Sequence, residues 1–162
     1  HVVKATDEEL AYYYDAKDLL DGTDRLLTNG RTQIAAITMG NRGCFLRTRT
    51  AYAYCPTYNV EVRDTTGAGD SFMGALLFCL ARCNRKIDLL GEAELEKIGD
   101  FCNACASFST MSRGSLLGMA DLAAAKRVQD TCSKAAAQKD LHITAPQFLT
   151  ACGGKEEVWG NP

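Results

Sequence analysis

The sequence predicts an α/β layered fold, and three observations predict it. Short β-branched apolar runs alternate with segments that carry helix caps, the pattern of strands covered by helices. The composition, 46% apolar and 23% charged over 162 residues, is that of a globular chain and excludes collagen, coiled coil and wholesale disorder. A run of small residues, Gly67-Ala68-Gly69, stands between a strand-like and a helix-like segment. The length suits one domain or a piece of a larger one, and folding would bury about two thirds of the unfolded surface.

Val2-Val3-Lys4 reads as a strand end. Thr6-Asp7-Glu8-Glu9 is a capping box, so a helix follows through Tyr14. A second helix is expected from about Gly22 to Thr28, closed by Asn29-Gly30. Gln33 to Met39 is short and apolar, a buried strand, and Gly40-Asn41-Arg42-Gly43 is a turn. Cys44 to Thr48 returns as a strand that a shorter one around Ala51 to Tyr54 pairs with, and Asn59 to Arg63 alternates like another strand. An apolar helix runs from the glycine-rich stretch to about Cys83. A longer one spans Glu92 to Met111 until Arg113-Gly114 breaks it, and a last one spans Asp121 to about Lys139. The segment from about Leu141 holds the single tryptophan, Trp159, and reads as a weakly structured tail. A doubly wound sheet needs several parallel strands. This sequence supplies few, and an incomplete sheet would expose an open edge that favours association or aggregation.

The formal charge is −2 and the pI near 5.7, without the basic footprint of a nucleic-acid binder. The most apolar stretch, Gly74 to Ala81, is far shorter than the roughly 18–20 residues that span a bilayer. Several of the eight cysteines fall in helical patterns, where cysteine acts as a small apolar residue. They are expected to be reduced thiols of a cytoplasmic protein. Cys102 and Cys105 form a lone C-x-x-C. A zinc site needs two more ligands at matching spacing, and His1 and His142 do not supply them, so two small buried helix residues are expected.

The informative segment is Asp64-Thr65-Thr66-Gly67-Ala68-Gly69-Asp70 and the helix after it. Glycine lets the backbone approach a ligand closely. A helix that starts there points free N–H groups and its positive dipole end outward, a place for phosphate. Asp70 at the same spot is a poor anion ligand but a fitting general base for a hydroxyl that attacks phosphorus. The glycines alone also fit a tight turn with an aspartate helix cap.

The full string from Asp64 to Leu77, DTTGAGDSFMGALL, resembles the second signature of the ribokinase-like (PfkB) sugar kinases at every motif position. Ile37-Thr38-Met39-Gly40-Asn41-Arg42-Gly43 resembles that family's strand and turn along the nucleotide. It is not a Walker loop, since no G-x-x-x-x-G-K-[ST] occurs. Phe101-Cys102-Asn103-Ala104-Cys105-Ala106 resembles the alanine-rich helix with an asparagine near adenine, although plain helix packing explains it equally well. Ser112-Arg113-Gly114-Ser115 resembles the turn that, with the Asp-Thr-Thr carbonyls, holds a monovalent cation in relatives. Lys4-Ala5-Thr6-Asp7-Glu8-Glu9 looks like the family's K-x-N-x-x-E segment that helps place magnesium and phosphate, with Thr6 in place of asparagine.

The resemblance implies the C-terminal part of a three-layer α/β/α, Rossmann-like fold. It places a kinase part at residues 1–128 and a helical end with its tail at 129–162. It implies an ATP-dependent kinase that transfers the γ-phosphoryl to a sugar hydroxyl, fructose before others, since Tyr54 to Val60 looks most like bacterial fructokinases. By it Asp70 is the base and the Gly67, Ala68 and Gly69 amides form the anion hole. Thr38, Gly40, Gly43, Gly69 and Asn103 bind ATP. Asp64 and Thr66 ligate potassium, and Glu9 serves magnesium and phosphate, against a plain loop-capping role for Asp64 and a capping-box role for Glu9. The partners implied are a sugar and Mg-ATP, with no nucleic acid, no membrane and a homodimer of the full-length protein. A family member has roughly twice this length, so the chain reads as a fragment without the glycine-rich first signature, the lid and most sugar contacts. The alternative is a non-catalytic half-kinase that binds a nucleotide or a partner.

Overall fold

Strand β1 (Val2–Thr6) runs parallel to β2 (Ile34–Thr38), with Val2 opposite Ile34 and Thr6 opposite Thr38. A parallel pair needs a crossover, and α1 (Asp7–Tyr14) and α2 (Leu19–Thr28) form it. The chain then turns through Gly40–Arg42 into β3 (Cys44–Arg47) and on to β4 (Tyr52–Cys55), each antiparallel to the strand before it. The sheet order is β1-β2-β3-β4. Helices α3 (Ala68–Ala81), α4 (Glu92–Thr110) and α5 (Leu122–Thr131) follow. This computed structural model describes residues 1–114, 118–136 and 142; Ser115, most of the expected tail and Trp159 lie outside them.

Alternation along the strands builds two cores, because successive side chains point to opposite faces. Ile34, Ala36, Cys44, Leu46 and Cys55 join one core with Leu76 of α3 and Leu95 of α4. Ala35, Ile37 and Phe45 join the other with Leu10 of α1 and with Leu19 and Leu26 of α2. The layers are therefore α1 and α2, the sheet, and α3 to α5, the expected α/β/α arrangement. Strand β2 is buried on both faces, which is why its sequence is a continuous apolar run rather than an alternation.

Local signals explain most element boundaries. The capping box is formed as expected: Thr6 Oγ1 accepts from the Glu9 amide at 3.1 Å and Glu9 Oε2 accepts from the Thr6 amide at 2.7 Å. Helix α2 begins at Leu19, earlier than the expected Gly22, because Asp18 caps it through the Asp21 amide at 2.8 Å. Cys102 and Cys105 are buried in α4 among core residues, the packing role expected of them.

Two expectations fail. Asn59 to Arg63 is not a strand. Past β4 its neighbour is helix α4, so the Arg63 and Asp64 amides donate to the Thr110 carbonyl at 2.8 and 3.2 Å. Helix α5 ends at Thr131, not near Lys139. Its continuation turns extended and pairs with the same segment: the Asn59 amide donates to Ser133 O and the Ala135 amide to Thr57 O, both at 2.8 Å. Tertiary pairing there overrides the alanine-rich helix propensity.

Helix α4 lies very close to the sheet. A Cβ on Gly99 would stand 2.4 Å from Cys55 Sγ and 3.3 Å from Cys44 Sγ. Gly99→Ala is therefore expected to cost ~1–3 kcal/mol through overpacking. Gly74→Ala, on an exposed turn of α3 with open space around it, is expected to gain ~0.5–1 kcal/mol by helix propensity. Urea unfolding of both variants checks the pair; equal midpoints would remove the close-approach argument.

Candidate active site

Helix α3 opens on Gly67, whose φ of 83° suits glycine alone. The first amides of a helix lack intrahelical partners. Here the Ser71 amide is the first to close a turn, onto Gly67 O at 2.9 Å. The Ala68 amide is committed to Thr65 O at 3.2 Å. Of the three amides expected at an anion, Ala68's is thus engaged by the loop, and Gly67, Gly69 and Asp70 have the amides without an intrahelical partner. The turn is anchored from behind, where buried Ser71 donates its Oγ to the Cys105 carbonyl of α4 at 3.1 Å.

A cavity of about 390 Å³ opens beside this turn, within the usual size of a small-molecule site. Thr38 at the end of β2 and Gly40 just after it, Ala68 and Gly69 of α3, and Asn103 and Ala106 of α4 line it. Four residues expected at the nucleotide, Thr38, Gly40, Gly69 and Asn103, thus meet in one place. Gly43 does not line it. Its φ is 96°, and a Cβ there would lie 2.1 Å from the Cys55 carbonyl, so Gly43 lets the β2–β3 turn pass against the end of β4. Asn103 faces the cavity but spends its amide on protein: Nδ2 donates to Cys55 O at 2.8 Å and Pro56 O at 3.1 Å.

Asp70 sits on the other side of the turn. It lines an adjoining hollow of about 450 Å³ with Ser71, Gly74 and the apolar Phe78, Phe101 and Met119. Its carboxylate is exposed and has no ion pair or hydrogen bond to the described residues. The first turn of α3 therefore lies between two concavities, with Ala68 and Gly69 lining one and Asp70 lining the other.

The residue that sequence reasoning undervalued is Lys4. Its Nζ lies 3.0 Å from where a Cβ on Gly69 would stand. It is partly buried and has no ion pair among the described residues. A helix N-terminus already carries positive partial charge, so an unpaired ammonium against it leaves a site short of an anion. The signal was present in the K-x-N-x-x-E likeness, but only the parallel β1–β2 pairing brings Lys4 across to Gly69.

Asp64 joins the two segments expected to hold a cation. Its carboxylate accepts from the Gly114 amide at 3.0 Å and the Thr66 amide at 2.9 Å. Those amides, Gly114's first, hold its carboxyl down to about 2. Glu9 does what the capping box asks, and Asp7 beside it pairs with Arg42 of the β2–β3 turn. Among the described residues no group of three His, Cys, Asp or Glu side chains could hold a metal ion, and no helix is long and apolar enough to cross a membrane.

Comparison with known proteins fits this geometry. Probable fructokinase-3 of Arabidopsis thaliana is 33% identical over 115 residues, which are 71% of this chain and 33% of that protein. Fructokinase-2 of Solanum lycopersicum is 30% identical over 115 residues, 71% of this chain and 34% of that protein. Among solved structures, a fructokinase from Xylella fastidiosa with bound ATP superposes with a TM-score of 0.68 at 26% identity, over 80% of this chain and 42% of that one. The chain thus spans about a third of the length of these curated relatives. Residues 1–121 match the family described as pfkB family carbohydrate kinase, and the chain belongs to that family.

Proposed function

We propose that this chain carries the nucleotide-binding and phosphoryl-transfer part of an ATP-dependent sugar kinase, acting on fructose or a related furanose. One observation carries the reading: the Lys4 ammonium lies against Gly69, whose amide has no intrahelical partner, in the lining of a nucleotide-sized cavity, with Asp70 next to it in the adjoining hollow. The cavity takes ATP with its phosphates toward Gly69. The amides of Gly67 and Gly69, with Lys4, hold charge that builds on the transferred phosphoryl. Asp70 accepts the proton of the attacking hydroxyl. The fructokinase names of the relatives support fructose, and the ATP in the Xylella structure supports the nucleotide.

Magnesium fits as a companion of the phosphates, since it keeps several waters and needs only one or two protein carboxylates. It would neutralise phosphate charge, and Glu9, which the family likeness offers for it, is also held in the capping box. Asp64 and Thr66 are oxygen donors suited to a hard cation such as potassium, and the Asp64 latch brings their loop against Gly114. A cytoplasmic location and a homodimer of the full-length protein rest on the family alone. A second reading, a half-kinase that binds nucleotide without turnover, is favoured by the share of its relatives that the chain spans.

Sugar-dependent ADP release from Mg-ATP, with fructose, ribose and tagatose as acceptors, tests the reading. Asp70→Asn should lower turnover by about 10²–10⁴-fold with ATP affinity unchanged; equal turnover would sink the assignment. ATP binding without turnover for any acceptor would select the second reading. Lys4→Met should weaken ATP binding about tenfold or more, the effect of one charge-assisted hydrogen bond, as read by calorimetry.

The Asp64 latch has its own pH signature. Its folded pKa lies below the ordinary 3.8, so the carboxylate stabilises the loop above the unfolded value and loses that effect as pH falls through the folded one. The latch should be complete above about pH 4 and lost near pH 2. The Gly114 amide shift, followed by NMR, should titrate with a midpoint near 2, and a midpoint near 4 would show that the carboxylate does not hold it.

A further inference from the structure

One wall of the cavity is the irregular segment after β4, and it is gripped from two sides. From α4, Asp100 Oδ1 accepts from the Tyr58 hydroxyl at 2.7 Å, and Ser107 Oγ meets Thr57 Oγ1 at 3.1 Å. From beyond α5, residues 133–135 pair along it: the Asn59 amide donates to Ser133 O and the Ala135 amide to Thr57 O. Asn59 Nδ2 also donates to Ser133 Oγ at 3.0 Å and Lys134 O at 3.2 Å. Thr57 and Tyr58 both line the cavity.

The two grips meet at one ion pair. Lys134 Nζ lies 2.7 Å from Asp100 Oδ1 and 5.8 Å from the centre of the Tyr58 ring. Gln129 of α5 donates to the other Asp100 oxygen at 2.7 Å. Burial pushes the Asp100 carboxyl up, but the hydrogen bonds from Lys134, Tyr58 and Gln129 outweigh it and leave the carboxyl below the usual range. Asp100 is therefore a charged hub that joins α4, the cavity wall and the segment after α5. Lys134 lies beyond the residues that match the family.

We propose that Lys134 and Asp100 are positioning residues of the nucleotide cavity, whose ion pair clamps residues 133–135 over Thr57 to Asn59 and so fixes the Tyr58 wall. The inference rests on the nucleotide reading of the cavity. It makes the segment after α5 part of the binding site without contact to the ligand. An exposed ion pair contributes little by itself. This one differs because its carboxylate is three-quarters covered, at 24% exposure, and also holds the Tyr58 hydroxyl.

The test uses the full chain with Mg-ATP as the probe, in wild type, Lys134→Met, Lys134→Arg and, as control, Lys126→Met. Lys126 pairs with Asp130 on the exposed face of α5 at 3.5 Å. Titration calorimetry gives the dissociation constant, and hydrogen exchange reads the Asn59 and Ala135 amides. Lys134→Met should weaken ATP binding about tenfold and speed exchange at both amides. Lys134→Arg should restore both to within about twofold of wild type, since it keeps the charge and donors, and Lys126→Met should change neither. Wild-type affinity in Lys134→Met, or weakening equal to that in Lys126→Met, overturns the proposal and leaves the kinase reading intact. No ATP binding by wild type overturns the nucleotide reading, and the positioning of a nucleotide cavity falls with it. The clamp on the wall is then judged by exchange alone: faster exchange at Asn59 and Ala135 in Lys134→Met supports it, and unchanged exchange removes it too.

Discussion

The site depends on how the chain between β4 and α3 is held without a strand to pair with. One face of α4 does most of this, beside the short pairing of residues 133–135 along Thr57 to Asn59. Asp100, Asn103 and Ser107 stand at i, i+3 and i+7, a single stripe along a helix, and grip Tyr58, the Cys55 and Pro56 carbonyls, and Thr57 in turn. One turn further on, the Thr110 carbonyl takes the Arg63 and Asp64 amides. Strand pairing uses backbone and tolerates many side chains. Hooks from a helix need the right side chain at each place, because a buried polar group left unmade costs more than the bond contributes when formed. The glycine-rich loop inherits its position from this stripe, since Asp64 is both the last residue it holds and the first of the loop.

The stripe reaches only because α4 lies almost on the sheet, and small residues permit that. Gly99 faces Cys44 and Cys55, which are opposite each other in β3 and β4. Bulkier residues would lift α4 and carry the hooks out of hydrogen-bond range. The same packing accounts for Cys44 and Cys55. Burial raises the Cys44 thiol well above its ordinary range, so it behaves as a small apolar residue rather than a nucleophile. Gly43 serves the same geometry from the β2–β3 turn, where no side chain fits against the Cys55 carbonyl.

What could be read in advance follows the range of the interaction. The capping box at Thr6 and Glu9, the buried run of β2 and the glycine opening of α3 are local, and each formed where its signal lay. Asn59 to Arg63 alternated like a strand, but alternation reports a face to bury, not a partner strand, and the partner was α4. The alanines after Thr131 carried helix propensity, and pairing with Thr57 and Asn59 outweighed it. At the site, Thr38, Gly40, Gly69 and Asn103 were legible because they fall in motifs. Gly43 falls in the same turn, where backbone clearance against the Cys55 carbonyl already calls for glycine; that need looks the same in sequence as one imposed by a ligand. Lys4 and Lys134 act on residues far along the chain, and no spacing rule reaches that distance.

On the proposed function, the arrangement also bears on which side of the reaction these residues would serve. In-line phosphoryl transfer needs a donor on one side of the moving group and an acceptor on the other. The first turn of α3 lies between the two here, with Gly69 lining the cavity and Asp70 the adjoining hollow. The cavity is furnished for a charged, partly apolar ligand. Among the described residues, the hollow is not furnished for a sugar. Of its polar groups, Ser71 is committed to the Cys105 carbonyl and Asp121 caps α5 through the Ala124 amide. That leaves Asp70 beside an apolar wall. A molecule with several hydroxyl groups binds by having most of them hydrogen-bonded, since each one desolvated without a partner costs free energy. A single carboxylate can take a proton from one hydroxyl and cannot tell one sugar from another. On the proposed function, these residues supply the donor side and the base, and the choice of sugar belongs to groups beyond the described ones.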